Sequence, residues 1–183
     1  IYLVVIGNYQ FLFLIIICFL ISLYEWQKMK LNNYIKIPGI IFLIFSFYTM
    51  LNIRNTFEND YWPFLIISFI CISTDIGGYI FGKILKGPKL TKYSPNKTYA
   101  GMLGGYFLCI LFSIVSINLN LVKEHHVFNF LIFIFLISSV SQIGDIIISY
   151  FKRISKIKDT GNIIPGHGGL LDRIDGMIFA FPF

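Results

Sequence analysis

Charge is what this chain has least of. Asp, Glu, Lys and Arg make up 13% of it, where soluble domains carry about 25%, and so a water-soluble domain is the wrong class. Cysteine is scarce too. Cys18, Cys71 and Cys109 each sit in an apolar run with no CxxC spacing, which excludes a disulfide framework and a thiolate zinc site and leaves small buried hydrophobes. No GxxxxGK[ST] stretch occurs, which excludes a P-loop ATPase. Acidic side chains are outnumbered nine to fifteen. In a soluble chain the resulting +6 would point to nucleic acid; here it reports membrane orientation, and no nucleic-acid partner is expected.

What is present is apolar surface. Apolar residues make up 56% of the chain, and 20 phenylalanines and 11 tyrosines suit lipid contact and interfacial positions. The runs are too long for a buried soluble helix. The predicted fold class is all-α: a polytopic helix bundle with at least five complete transmembrane helices, about 9–24, 37–53, 61–81, 99–119 and 127–150, plus part of a sixth from near Ile174. The first span is free to extend back to residue 1, and the second carries Pro38-Gly39 near its start. The chain opens on Ile-Tyr-Leu-Val-Val without a methionine and closes in an apolar stretch, which reads as a piece of a longer protein. One transmembrane catalytic domain, 1–183, is expected, with 1–74 as generic membrane helices and 75–175 carrying the chemistry. Its two cytosolic loops are about 83–98 and 152–172.

The loops sort by charge. One side holds Lys28, Lys30, Lys36, Lys83, Lys86, Lys89, Lys92, Lys97, Lys152, Arg153, Lys156, Lys158 and Arg173; the other holds only Arg54 and Lys123. Positive-inside bias puts the first set in the cytosol. Gly87-Pro88 and Ser94-Pro95 give the Lys83–Lys97 segment fixed turns instead of a flexible tail.

Against this background the acidic residues stand out. A charge at bilayer depth costs roughly 2.5–3.5 kcal/mol. Asp75 lies seven residues before Gly82 and Asp145 six before Phe151, each roughly 9–10 Å inside the cytosolic boundary. Structural polar glue is the bland alternative for this pair. Asp172 and Asp175 are three apart and share a helical face if a helix starts at or before Asp172. Two anions on one face call for a cation. With Asp145 they form a three-oxygen set suited to Mg²⁺ completed by phosphate oxygens and water. Pro165-Gly166-His167-Gly168-Gly169 permits positive φ and close backbone approach, and can form an anion nest. His167, standing alone, fits a hydrogen-bonding or hinge role at least as well as that of a base. Lys152, Arg153, Lys158 and Arg173 can meet phosphate oxygens, or serve only anionic-lipid attraction and topology.

These residues carry a resemblance. S-x(2)-K-R-x(4)-K-D-x-G-x(3)-P-G-H-G-G-x(2)-D-R-x-D, running from Ser149 to Asp175, is similar to the signature of bacterial phosphatidate cytidylyltransferases, also called CDP-diglyceride synthases. Asp75-Ile-Gly-Gly-Tyr79 and Ser94-Pro-Asn-Lys-Thr98 resemble two further blocks of that family, in its order. The resemblance implies transfer of the cytidylyl group of CTP to phosphatidic acid, with release of pyrophosphate. It implies Mg²⁺, with a second monovalent or divalent cation allowed, held by Asp145, Asp172 and Asp175. It places Asp75, Lys152, Arg153 and Lys158 with them as catalytic residues, and Ser94, Lys97, Thr98, Gly166, His167, Gly168, Gly169 and Arg173 at the substrates. The setting it implies is the inner membrane of a bacterium, with the lipid bilayer as partner, the site facing the cytosol and a homo-oligomer allowed. The chain departs from the family pattern at Asn96, Ala100 and Ile148, which replace a lysine and two acidic residues. Two rivals remain: a CTP-dependent lipid kinase, and a cation-coupled transporter, against which the absence of a detectable inverted repeat weighs.

Overall fold

A computed structural model describes residues 2–6, 8–56, 61–94, 97–118, 126–163 and 168–183. Among them the chain forms helices α1 (Tyr2–Ile6), α2 (Asn8–Lys28), α3 (Asn33–Thr56), α4 (Trp62–Leu85), α5 (Tyr99–Asn118), α6 (Val127–Ile154) and α7 (Leu171–Ala180). α2 to α6 are each long and apolar enough to cross a membrane. The architecture is a polytopic membrane helix bundle, as the hydropathy predicts. Its helices outrun the predicted spans: α4 continues to Leu85 and α6 to Ile154, because Lys83, Lys152 and Arg153 suit the last turn of a helix, where the macrodipole favours cations. α3 starts at Asn33, so Pro38 lies inside it. α1 covers Tyr2–Ile6 and α2 begins at Asn8, so helix lies on both sides of Gly7, which is outside the described residues. α7 begins three residues before Ile174, and its ten residues fall short of the roughly 20 needed to cross.

The bundle is arranged as lipid demands. Phe13, Leu20, Ile41, Tyr48, Leu103 and Phe128 are exposed, while Ser22, Ser46, Ser113, Ser116, Ser138 and Ser141 are buried. With no hydrophobic force between helices in hydrocarbon, small residues that permit close approach fill the crossings. Ser22, Ser46 and Ser116 turn their hydroxyls onto the carbonyls of Cys18, Phe42 and Phe112, four residues back, so these three are satisfied within their own helices. A buried polar knot joins α4, α5 and α6: the Thr74 hydroxyl lies 2.9 Å from Ser138 Oγ and 3.0 Å from Cys109 Sγ. α4 and α5 pack most tightly, on glycine. A Cβ on Gly77 would overlap the carbonyl oxygen of Gly104 and lie 2.9 Å from Gly105 Cα.

One end of the bundle gathers the C-termini of α2, α4 and α6 with the N-termini of α3, α5 and α7. Lys36 Nζ donates to the Gln27 carbonyl at 2.9 Å, and the Trp26 indole to the Lys36 carbonyl at 3.1 Å. The Lys86–Thr98 segment folds back on itself through an isolated bridge between Lys89 and Thr98. At the opposite end buried Arg54 donates to the carbonyls of Val4 and Val5 and ties α1 to α3.

Candidate active site

Every site residue named from the sequence that falls among the described residues lies at the first of these ends. Gly166 and His167 lie outside the described residues, as does Asn96.

Asp172 is the most heavily bonded. At the first turn of α7 its Oδ1 accepts from Lys152 Nζ at 2.7 Å, and its Oδ2 from the amides of Thr160 at 2.8 Å and Gly169 at 3.0 Å, with the Thr160 hydroxyl also at 3.0 Å. Burial works against ionisation of this carboxyl. The Lys152 ammonium and the Thr160 and Gly169 amides outweigh it and hold the group below the usual carboxylate range. Gly168 adopts φ +89°, a left-handed conformation, and a Cβ there would come 3.0 Å from Asp172 Oδ2. The chain thus needs glycine to wrap this close to a carboxylate.

Asp175, one turn on, is buried and has different neighbours. Its Oδ1 accepts from the Gly176 amide at 2.9 Å, and it lies in the field of Asp145 and Asp75. Asp145 on α6 is half-buried and ion-paired with Lys97, with Ser149 Oγ at 3.4 Å. Asp75 on α4 is exposed, and Asp145, Lys97 and Arg173 all act on it. Three carboxylates from three helices therefore share one electrostatic neighbourhood, and they are Asp75, Asp145 and Asp175. Asp172 stands in a separate network with Lys152.

The expected metal triad of Asp145, Asp172 and Asp175 is not brought together as a ligand group. No three His, Cys, Asp or Glu side chains among the described residues converge closely enough to hold a metal ion. Sharing a helical face did not suffice: the Asp172 carboxylate is taken up by Lys152, Thr160 and Gly169.

The remaining residues divide by role. Thr98 Oγ1 accepts from the Gly101 amide at 3.0 Å, an N-cap for α5. Arg153 Nε donates to the Tyr93 carbonyl at 3.1 Å and docks one loop on the other. Lys158 and Arg173 are exposed, and Ser94 is half-buried with its carbonyl receiving the Lys97 amide at 3.0 Å. Ile148 is buried and lines an apolar cavity of about 320 Å³ with Trp26, Pro38, Phe42, Phe151 and Phe179. That is a reason for the chain to carry isoleucine there instead of an acid.

Sequence reasoning missed Glu25. It lies on α2, in the stretch read as generic membrane helix, yet it is buried and its carboxylate accepts from Thr160 Oγ1, Leu170 N and Leu171 N at 2.8, 2.9 and 2.8 Å. The signal was available: Glu25 is the only acidic residue before Glu58, and a lone acid inside an apolar run is a candidate by default.

Fold and site together define a multi-pass membrane protein whose helix ends collect carboxylates and ammonium groups beside Gly168 and Gly169, an arrangement suited to polyanionic substrates at a membrane face. The chain belongs to the cytidylyltransferase family, whose model matches residues 40–183. It is 38% identical over 182 residues to the phosphatidate cytidylyltransferase of Rickettsia prowazekii, covering 94% of this chain and 78% of that protein. With the enzymes of that name from Rickettsia bellii and Bacillus subtilis the identity is 37% over 168 and 147 residues, covering 71% and 53% of their lengths and 86% and 78% of this chain. The chain is thus an enzyme, a membrane-embedded nucleotidyltransferase.

Proposed function

We infer that this enzyme transfers the cytidylyl group of CTP to the phosphate of phosphatidic acid, giving CDP-diacylglycerol and pyrophosphate. The observation that carries it is the joining, at one end of a membrane bundle of cytidylyltransferase sequence, of three carboxylates that share one electrostatic neighbourhood with Lys97 and Lys152. Both substrates are polyanions and one is confined to the bilayer, so lysines at the membrane face and an apolar flank meet both needs.

In the reaction a phosphate oxygen of the lipid attacks the α-phosphorus of CTP, the bond to the β-phosphate oxygen breaks, and pyrophosphate leaves with the electron pair. The lipid phosphate is already an anion, so no side-chain nucleophile is required. The work of the protein is positioning and charge stabilisation. Lys97, Lys152, Lys158 and Arg173 are the cations placed to meet the phosphates, Arg bidentately and Lys as point charges. Lys97 and Lys152 rest on Asp145 and Asp172 until phosphate oxygens compete for them. Arg153 holds the two loops together.

The donor chemistry fits Mg²⁺. Asp75, Asp145 and Asp175 are hard oxygen donors whose combined charge Lys97 and Arg173 only partly offset, and one or two carboxylates with phosphate oxygens and water are what Mg²⁺ takes. Asp145 and Asp175, with Asp75 beside them, would hold the ion. When bound it supplies charge neutralisation and orientation of phosphate oxygens. The thirteen basic residues gathered at this end support a cytosolic orientation, and similarity to bacterial enzymes supports the inner membrane of a bacterium.

The test uses the full-length protein in detergent with Mg²⁺, phosphatidic acid and CTP labelled separately in the base and the γ-phosphate. The cytidine label should enter the lipid phase and the γ-label should leave as pyrophosphate. A γ-label in lipid with no cytidine would mean a lipid kinase, and neither label in lipid would overturn the assignment to transfer onto lipid.

A further inference from the structure

Glu25 lies one turn from the end of α2 (Asn8–Lys28) and is 1% exposed. A buried carboxylate is costly unless its lone pairs are met, and here two amides and a hydroxyl meet them. The amides belong to Leu170 and Leu171, at the start of α7, where the helix dipole adds to the attraction. The hydroxyl is that of Thr160, whose own amide donates to Asp172 at 2.8 Å. Thr160 has one hydroxyl proton and two carboxylate oxygens within reach, Glu25 Oε2 at 2.8 Å and Asp172 Oδ2 at 3.0 Å. It therefore bridges the two acids. Gly169 lies between them, and a Cβ there would come 2.5 and 2.6 Å from the Glu25 oxygens. Glu25 thus touches both ends of the 160–171 segment, from a helix that contributes no other charged side chain to it.

We propose that Glu25 is a positioning residue for the cytidylyl-transfer site: it clamps Thr160 and the start of α7 together, and so sets where α7 presents Asp172 and Asp175. The proposal rests on the reading of Asp175 and its neighbours as the reacting end of the molecule. It also makes α2, which lies outside the residues matched by the family model, part of the working site. Loss of the clamp lets α7 shift relative to α4 and α6, whose Asp75 and Asp145 stay in place. Misplacement on the order of 1 Å is enough to cost about 10²-fold in turnover. Among the described residues Lys97 pairs with Asp145 and Glu25 with Thr160, Leu170 and Leu171, so binding of CTP should change little.

The experiment measures kcat and KM for CTP on full-length Glu25→Ala, Glu25→Gln and Thr160→Val, each checked for folding by size exclusion and thermal melting in detergent. Glu25→Ala should lose about 10²-fold in kcat with KM for CTP changed less than about threefold. Glu25→Gln keeps one carbonyl acceptor and should recover about tenfold of that loss. Thr160→Val removes only the bridging hydroxyl and should lose about tenfold. Folded Glu25→Ala with kcat within about twofold of the parent overturns the proposal. So does activity that falls only in step with the folded fraction, or loss of folded protein in all three variants, since either assigns Glu25 to stability alone. If Glu25→Ala alone fails to fold, the other two variants decide by the same figures. Failure of the parent protein to label lipid would strike the functional reading instead, which keeps the two outcomes distinct.

Discussion

Asp172 and Asp175 are chemically identical and three residues apart, yet their surroundings assign them different work. Asp172 accepts from an ammonium and two amides and shares the Thr160 hydroxyl with Glu25, so Asp172→Asn should lower stability by about 2 kcal/mol as well as turnover. Asp175 accepts from one amide and faces two other carboxylates, so Asp175→Asn should lower kcat by about 10²-fold or more without lowering the melting temperature. Melting curves beside kcat for the two variants check the contrast. The pH dependence follows from the same geometry. Asp172 ionises at lower pH in the folded protein than in the unfolded chain. Its contribution to stability is therefore complete above about pH 4 and lost as pH falls through the folded-state value. Acid melts of the parent should show that loss, and Asp172→Asn should lack this part of it.

Among the elements, the α4–α5 pair depends most on the absence of side chains. Gly77 lies against the Gly104 carbonyl with no room for a methyl group. Gly77→Ala should cost roughly 1–3 kcal/mol by forcing the helices apart. The same motion separates Asp75, two residues up α4, from Lys97, two residues before α5. Melting temperature and turnover should then fall together, unlike in Asp175→Asn, where only turnover falls. A Gly77→Ala protein with unchanged melting temperature would mean that the crossing relaxes without strain.

For the whole molecule the testable quantity is orientation. The short connection at Lys28–Asn33 lies at the end with the acidic site, whereas Val127 begins α6 at the other. With Cys18, Cys71 and Cys109 replaced, a cysteine at exposed Tyr34 should react with an impermeant thiol reagent from the cytosolic side, and one at exposed Phe128 only from the opposite side. The reverse pattern would invert the topology and place the site outside the cytosol.

Sequence alone determined the class and the length scale. Apolar runs of about 20 residues have one stable form in hydrocarbon, since every backbone amide must be met within its own helix, and the basic residues then sort the loops. The same logic marked Asp75, Asp145 and the Ser149–Asp175 stretch, because a charge inside an apolar run must have a reason. Tertiary structure alone decided which acids meet. Helical spacing placed Asp172 and Asp175 on one face, but Lys152, Thr160 and Gly169 take up the Asp172 carboxylate while Asp175 lies in the field of Asp75 on α4 and Asp145 on α6. Glu25 and Leu170 are 145 residues apart, and nothing local in either segment names the other. Their contact exists because α2 and α7 pack together, and only packing could bring a carboxylate from one to the bare amides of the other.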